Sequence, residues 1–386
     1  MPSRPFGYSA TTCDGIIGDA PVSPVTLRND SLHRSTTEPT PGNPVTKLGL
    51  TYGGYIYLDR TRALQSGQVQ PEGVDLNFET VGISELFRRM AQHAEFDVAE
   101  MSLSTYMLML GQGDDRLIGI PVFLSRAFRH SRVFVNSHAG IDQPRDLKGK
   151  RVGTPEYQMT AGLWIRGFLQ DDYGVNASDM TWFQGGSDEA VYAERRHHDA
   201  PPGVELGHIP ADRTLSGMLD SGELDALITA IDPKPFQDGS PNVRRLFEDP
   251  WETEREYYER TNIFPIMHLV VIKRKIYESN RWLAVSLLNA FIEAKRLGMD
   301  RLRLTGALPV ALPWLAADIE ELDRMFDGDA FPYGYAQNRR TVDTAASYSY
   351  EQGLTPRRFQ PEELFAVETL DHPGDDLRRD ADPSLT

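Results

Sequence analysis

The stretch DLKGKRVGTPEYQMTAGLWIRGFLQDDYGV, Asp146–Val175, sets a charged turn, a short strand and a helix one after another. KRVGT has the composition of a buried strand, and the apolar residues after it recur at helical spacing from about Pro155. Thr154 then reads as an N-cap, with Pro155 at the first helical position. A strand running straight into a helix is the repeating unit of an α/β fold. Ligands in such folds sit beyond the carboxyl ends of strands, beside helix N-termini, so the TPEYQMT turn is a place to look for a site.

The same unit recurs on both sides of this stretch. KLGLTYGGYIYL, starting at Lys47, VDLNFETV, FDVAEMS, RLIGIPVFL, SRVFVN, DALI and HLVVIK read as strands. SELFRRMAQH reads as a helix with Ser84 as N-cap, and from WLAVSLLNAFIEAKRLGMD onward the chain is mainly helical. At 386 residues, with 40% hydrophobic residues, the chain exceeds the ~250–300 residues at which one core stops growing, which predicts two lobes. Residues 1–44, rich in Pro, Ser, Thr and Gly, read as a flexible extension, and residues 371–386 as a flexible acidic tail.

Composition excludes several functions. Fifty-six acidic residues against 40 basic give a net charge of -16, which repels a phosphate backbone and argues against nucleic-acid binding. Cys13 is the only cysteine, so the remainder offers no disulfide, thiolate metal site or cysteine nucleophile. There is no apolar run long enough for a signal peptide or membrane span, which predicts a cytoplasmic protein. GxSxG, GxxxxGK[ST] and GxGxxG are all missing. The adjacent His197 and His198, in the weakly periodic segment that starts at Trp182, read as a solvated loop, since neighbouring residues rarely converge on one ion. Trp251–Tyr258 reads as a solvated helix that would also serve as a contact surface, leaving a homo-oligomer open.

Applying the strand-end rule selects five places: GGYIYLDRT with Asp59 and Arg60, EMSLSTY with Glu100 and Ser102, SRAFRHS with Arg126, Arg129 and His130, TPEYQMT with Glu156, Tyr157, Gln158 and Thr160, and TAIDP. Each has a plain structural alternative: Asp59 with Arg60 is also a surface pair, Ser102 and Ser104 are also helix caps, and the SRAFRHS cations are also a surface basic cluster. Arginine forks suit carboxylates and histidine exchanges protons near neutral pH, so SRAFRHS points to an anionic organic ligand. His268, before an apolar strand, is read both as a core histidine and as a catalyst.

YLDRTRALQSGQVQPEGVDL, FRRMAQHAEFDVAEMSLSTY, PVFLSRAFRHS, the Asp146–Val175 stretch, LDSGELDALI, RLFEDPWETEREYYERTNIFPIMHLVVI and YGYAQNRRT with YEQGL together resemble the 4,5-dihydroxyphthalate decarboxylase family, collinearly over Leu48–Val367. The resemblance implies a two-lobed, type 2 periplasmic-binding-protein-like fold. Each lobe would be a mainly parallel sheet flanked by helices, with the ligand cleft between lobes. Residues 45–130 with 263–370 would form lobe I and 131–262 lobe II. The crossings would fall near Arg126–Arg132 and Asn262–His268, bringing His130 beside His268.

The implied activity is loss of CO2 from a hydroxylated aromatic dicarboxylic acid. Direct loss would leave an aryl carbanion, so the ring carbon must be protonated first. His268 or His130 would supply the proton, and Arg60, Arg129 or Arg166 would bind carboxylate. Glu100 or Glu156 would accept from the catechol, and Ser102, Arg126, Tyr157, Gln158 and Thr160 would line the cleft. His268 as acid and Arg129 as clamp is the leading assignment. This chemistry requires no organic cofactor, no metal site is predicted, and a divalent ion on the catechol is left open. The competing readings are a solute-binding protein for an aromatic acid and a lyase for another hydroxyaryl acid.

Overall fold

The computed structural model describes residues 47–190, 194–304 and 306–375. The expected N-terminal extension lies outside these residues. Two sheets hold the described strands. The first has the order β2-β1-β3-β11-β4, with β1 Leu48–Gly54, β2 Val74–Thr80, β3 Val98–Ser102, β4 Leu117–Arg126 and β11 Ile266–Lys273. The second has the order β10-β5-β9-β6-β7-β8, with β5 Val133–Asn136, β6 Arg151–Thr154, β7 Thr181–Gln184, β8 Glu205–His208, β9 Ala226–Ile228 and β10 Val243–Arg245. Both are flanked by helices, giving a two-lobed α/β architecture.

The chain leaves the first sheet after β4, builds the second, and returns as β11 between β3 and β4. The two crossings run side by side: Ala127 N donates to Pro265 O at 3.1 Å, and Ile266 pairs with Arg126. Neither sheet is simply parallel. β11 is antiparallel to both β3 and β4, and β5 is antiparallel to β9 and β10, because a strand entering directly from the other lobe starts at the opposite end from one delivered by a helical crossover.

Packing explains two displaced helix starts. The helix expected from Pro155 begins at Thr160, with Met159 rather than Thr154 at the N-cap position. Residues 155–159 stay irregular because side chains capture their backbone: Tyr157 N donates to Gln184 Oε1 at 2.5 Å and Arg166 Nη2 donates to Tyr157 O at 2.8 Å. Gly82, not Ser84, precedes the Ile83–His93 helix. Trp164 Nε1 donates to Ile266 O at 2.9 Å, pinning the Thr160–Tyr173 helix to the returning crossing.

On the first lobe, the Trp282–Leu302 helix packs on the turn that follows β1. A Cβ at Gly298 would stand 2.1 Å from Asp59 O, so only glycine admits this approach. The helix also carries Lys295, fully buried, with Nζ 2.7 Å from Asp329 Oδ2, donating to Phe331 O at 2.7 Å and paired with Asp375. Asp375 is itself buried, so the first residues of the expected acidic tail are packed; residues 376–386 lie outside the described residues.

Candidate active site

β3 is buried along its whole length, yet it carries Glu100, an ionisable residue that is 0% exposed. A buried carboxylate needs donors. Three converge on it: His268 Nδ1 at 2.6 Å, the Tyr57 hydroxyl at 2.7 Å and Tyr55 N at 3.3 Å. The register of β11 on β3 sets Val270 opposite Glu100 and His268 opposite Ser102, while against β4 the pairing shifts on either side of His268. Such an irregularity re-aims a side chain next to a site.

A carboxylate only accepts, so Nδ1 of His268 carries the proton and Nε2 is the nitrogen left for a ligand. Phe87 meets the imidazole edge-on at 4.8 Å. Burial first, and then the neighbouring Glu100 carboxylate, push the Tyr57 phenol well above its usual pKa, which keeps it a donor.

The second sheet closes on this group through the turn before the Thr160–Tyr173 helix. Ser102 Oγ lies 2.9 Å from Thr160 Oγ1, Ser104 N donates to Thr160 Oγ1 at 3.1 Å, and Ser104 Oγ donates to Gln158 O. Ser102 also caps its own helix by accepting from Thr105 N. This is its helix-cap reading. Gln158 Nε2 donates to Arg196 O at 3.1 Å, while its buried Oε1 lacks a partner among the described residues.

Several expected site residues have structural work instead. Glu156 accepts from Arg195 N at 2.9 Å and pairs with Arg195 Nε at 2.7 Å, so it is committed to that loop and not open to a catechol. Tyr157 is fully buried, with the Arg166 guanidinium 3.9 Å from its ring and Trp182 edge-on at 5.5 Å. Arg166 donates Nε to Gln352 and Nη2 to Tyr157 O, which makes it a support for the turn, while its buried Nη1 lacks a partner among the described residues. Arg126 donates to Phe264 O at 3.0 Å, to Pro332 O at 3.1 Å and to Asn338, tying the two crossings to the Tyr335–Glu351 helix. Arg60 lies between the Tyr57 and Phe331 rings, 4.3 Å from each, and donates to Leu124 O at 2.5 Å. It orients Tyr57.

His130 departs most from expectation. It stacks on Phe168 at 4.0 Å and touches Phe247 and Tyr257, whereas the neighbours of His268 are Glu100 and Phe87, so the expected histidine pair does not form. Burial, helped by Arg260, lowers its pKa to about 3, which leaves it neutral at pH 7 and unable to act as an imidazolium acid. A depressed histidine pKa means that the unfolded chain takes up the proton first, so stability is lost as pH falls from about 6.5 towards 3, at up to ~1.4 kcal/mol per pH unit. His130→Phe is expected to weaken that acid sensitivity, read as unfolding midpoints against pH, while leaving kcat within about threefold of wild type.

Arg129 spans the crossings: Nη1 donates to Ala230 O at 3.1 Å and Nε points at Met267 Sδ at 3.2 Å. Burial lowers its pKa to about 10, so it remains cationic at neutral pH. Besides Tyr57, sequence reasoning missed Arg195. Held by Glu156, its guanidinium sits 5.4 Å from the Phe87 ring, which packs T-shaped with His268. Its signal was available, because the loop follows the carboxyl end of β7.

Among the described residues no group of three or more His, Cys, Asp or Glu gathers as a metal site, and no described helix is long and apolar enough to cross a membrane. The arrangement is a carboxylate-oriented histidine at strand ends, with Arg195 5.4 Å from the Phe87 ring and Arg129 against Met267.

No family model matches the chain. Over 325 residues, 84% of this chain and 98% of the relative, it is 41% identical to 4,5-dihydroxyphthalate decarboxylase of Comamonas testosteroni. It is 43% identical to 4,5-dihydroxyphthalate decarboxylase of Pseudomonas putida over 211 residues, 55% of this chain and 81% of the relative. A solved structure similar to it is the periplasmic aliphatic sulphonate binding protein SsuA from Escherichia coli, at 14% identity and a TM-score of 0.49 over 84% of this chain and 99% of that one. The chain belongs to the 4,5-dihydroxyphthalate decarboxylase family.

Proposed function

We propose that the protein removes CO2 from 4,5-dihydroxyphthalate, giving 3,4-dihydroxybenzoate, by protonating the ring. The observation that carries this reading is the Glu100–His268 pair, at 2.6 Å, in a chain 41% identical to a decarboxylase of that name. His268 Nε2–H delivers a proton to the ring carbon that bears the departing carboxylate. The para oxygen spreads the resulting charge, the bond to CO2 breaks, and its electron pair restores the aromatic ring. Glu100 stabilises the imidazolium before transfer and fixes its orientation.

Arg129 and Arg195 hold the carboxylates, Arg129 from the first crossing and Arg195 from the loop that Glu156 holds, because an arginine fork matches a carboxylate. Ser102, Gln158 and Thr160 shape the cleft.

Incubation of purified protein with 4,5-dihydroxyphthalate, following CO2 and 3,4-dihydroxybenzoate, tests the activity. Tight binding of the acid with no product, with and without added divalent metal, would return the protein to the solute-binding class. Arg195→Met is expected to raise KM about 10- to 100-fold with a smaller loss in kcat, because a clamp binds ground and transition states alike. Arg195→Lys should recover only part of the affinity, as an ammonium lacks the fork.

A further inference from the structure

The connection between β7 and β8 carries two adjacent arginines, and both reach from the second lobe to the first. Arg195 extends its guanidinium to 5.4 Å from Phe87, on the Ile83–His93 helix. Arg196 runs to the end of the Leu103–Gly111 helix, where Nη1 donates to Asp114 Oδ2 at 2.9 Å and Nε to Gln112 Oε1 at 2.6 Å. Gln112 answers with Nε2, which donates to His197 O at 2.8 Å. The second lobe holds the same two arginines from behind: Gln158 Nε2 donates to Arg196 O at 3.1 Å and Arg195 N donates to Glu156 at 2.9 Å.

Residues 194–204 belong to no helix or strand, so these tethers set where the stretch lies. The Arg196 pair with Asp114 is partly buried, at 24% and 11% side-chain exposure, which spares it much of the solvent screening that makes open surface pairs weak. Arg116 donates to the same carboxylate at 2.7 Å and, with Arg196, holds Asp114 below the usual carboxylate range, so the pair persists at neutral pH. His268 stands on the first sheet, whereas the Arg195 fork comes from the second lobe. Arg196 ties the lobes together one residue away from that fork.

We propose that Arg196 is a positioning residue for the reaction: it straps the Arg195 loop to Gln112 and Asp114 of the first lobe, and so holds the Arg195 fork in register with the acid on the other side of the cleft. The inference rests on the reading of Arg195 as a carboxylate clamp. Arg196 works on the protein and not on the substrate, since its Nε and Nη1 donate to Gln112 and Asp114. A clamp displaced by a fraction of an ångström loses much of its value, because a bidentate contact needs both donors aligned at once.

The test is a double-mutant cycle on the full chain. Arg196→Ala is expected to raise KM for 4,5-dihydroxyphthalate about tenfold, with kcat within about threefold of wild type and an unmoved melting temperature. In an Arg195→Met background the same change should alter KM by less than about twofold, because the strap then has nothing to position. Arg196→Lys, which keeps the charge for Asp114 without the fork, should fall between. An unchanged KM in Arg196→Ala, or an equal rise in both backgrounds, would overturn the proposal. Amide exchange of the ligand-free protein tests the strap apart from the chemistry: the peptide containing Arg195 should exchange about fivefold faster in Arg196→Ala, and an unchanged rate would overturn the strap whatever the activity. A wild type that binds the acid without turnover would instead overturn the decarboxylase reading, and the cycle is then read in Kd.

Discussion

Replacing His268 with alanine is expected to lower kcat by ~10²-fold or more, with little change in substrate affinity. The imidazole is held by Glu100 at 2.6 Å, the other side chain on that carboxylate is a phenol whose pKa burial pushes well up, and the space the imidazole leaves is bounded by Phe87, which has no proton to give. Glu100→Gln is expected to lose about as much. An amide offers its own donor to Nδ1, favours the other tautomer and removes the charge that stabilises the imidazolium. An unchanged rate in His268→Ala, measured as 3,4-dihydroxybenzoate formed per second, would assign the proton to another group.

The second large effect is on stability. Lys295→Met is expected to destabilise the fold by ~3–5 kcal/mol in denaturant unfolding, because it strands two acids, Asp329 and Asp375, in a buried site without their cation. Burial holds the Asp375 carboxyl up at about 6, against 3.8 for an exposed aspartate. The folded protein therefore binds this proton more tightly than the unfolded chain, and the contribution of Asp375 to stability falls as pH rises from about 4 to about 6. Asp375→Asn should flatten that part of the stability profile.

The α/β class was legible because strand composition and helix period are local properties, whereas the two crossings came only from the family resemblance. The Asp146–Val175 stretch shows where that reading stops. Its strand is β6 as expected, but the helix starts at Thr160, because Gln184 and Arg166, remote from the turn in sequence, hold residues 155–159 out of it. No local pattern encodes those captures. Glu100 and His268 were each visible as candidates, whereas their contact depends on the register of β11 across 168 residues. Tyr57 was hidden inside an apparent strand reaching Leu58. The strand ends at Gly54, and the turn that follows points Tyr57 at Glu100. Arg126 and Arg166 show the opposite limit: their backbone acceptors, Phe264 O and Tyr157 O, give both arginines structural work that no local pattern announces.

The position of β11 between β3 and β4 also dictates an order of assembly on the ribosome. Every strand of the second sheet comes from one continuous segment, residues 133–245, and can pair as soon as that segment emerges. β3 and β4 have no such option, since the strand that joins them is made last. At ~5–20 residues per second, Glu100 waits about ten to thirty seconds for His268, during which two apolar strands keep unpaired edges. A nascent chain halted before Ile266 would hold the acid and its tyrosine but no proton donor, so catalytic competence arrives in one late step, with the docking of the return strand.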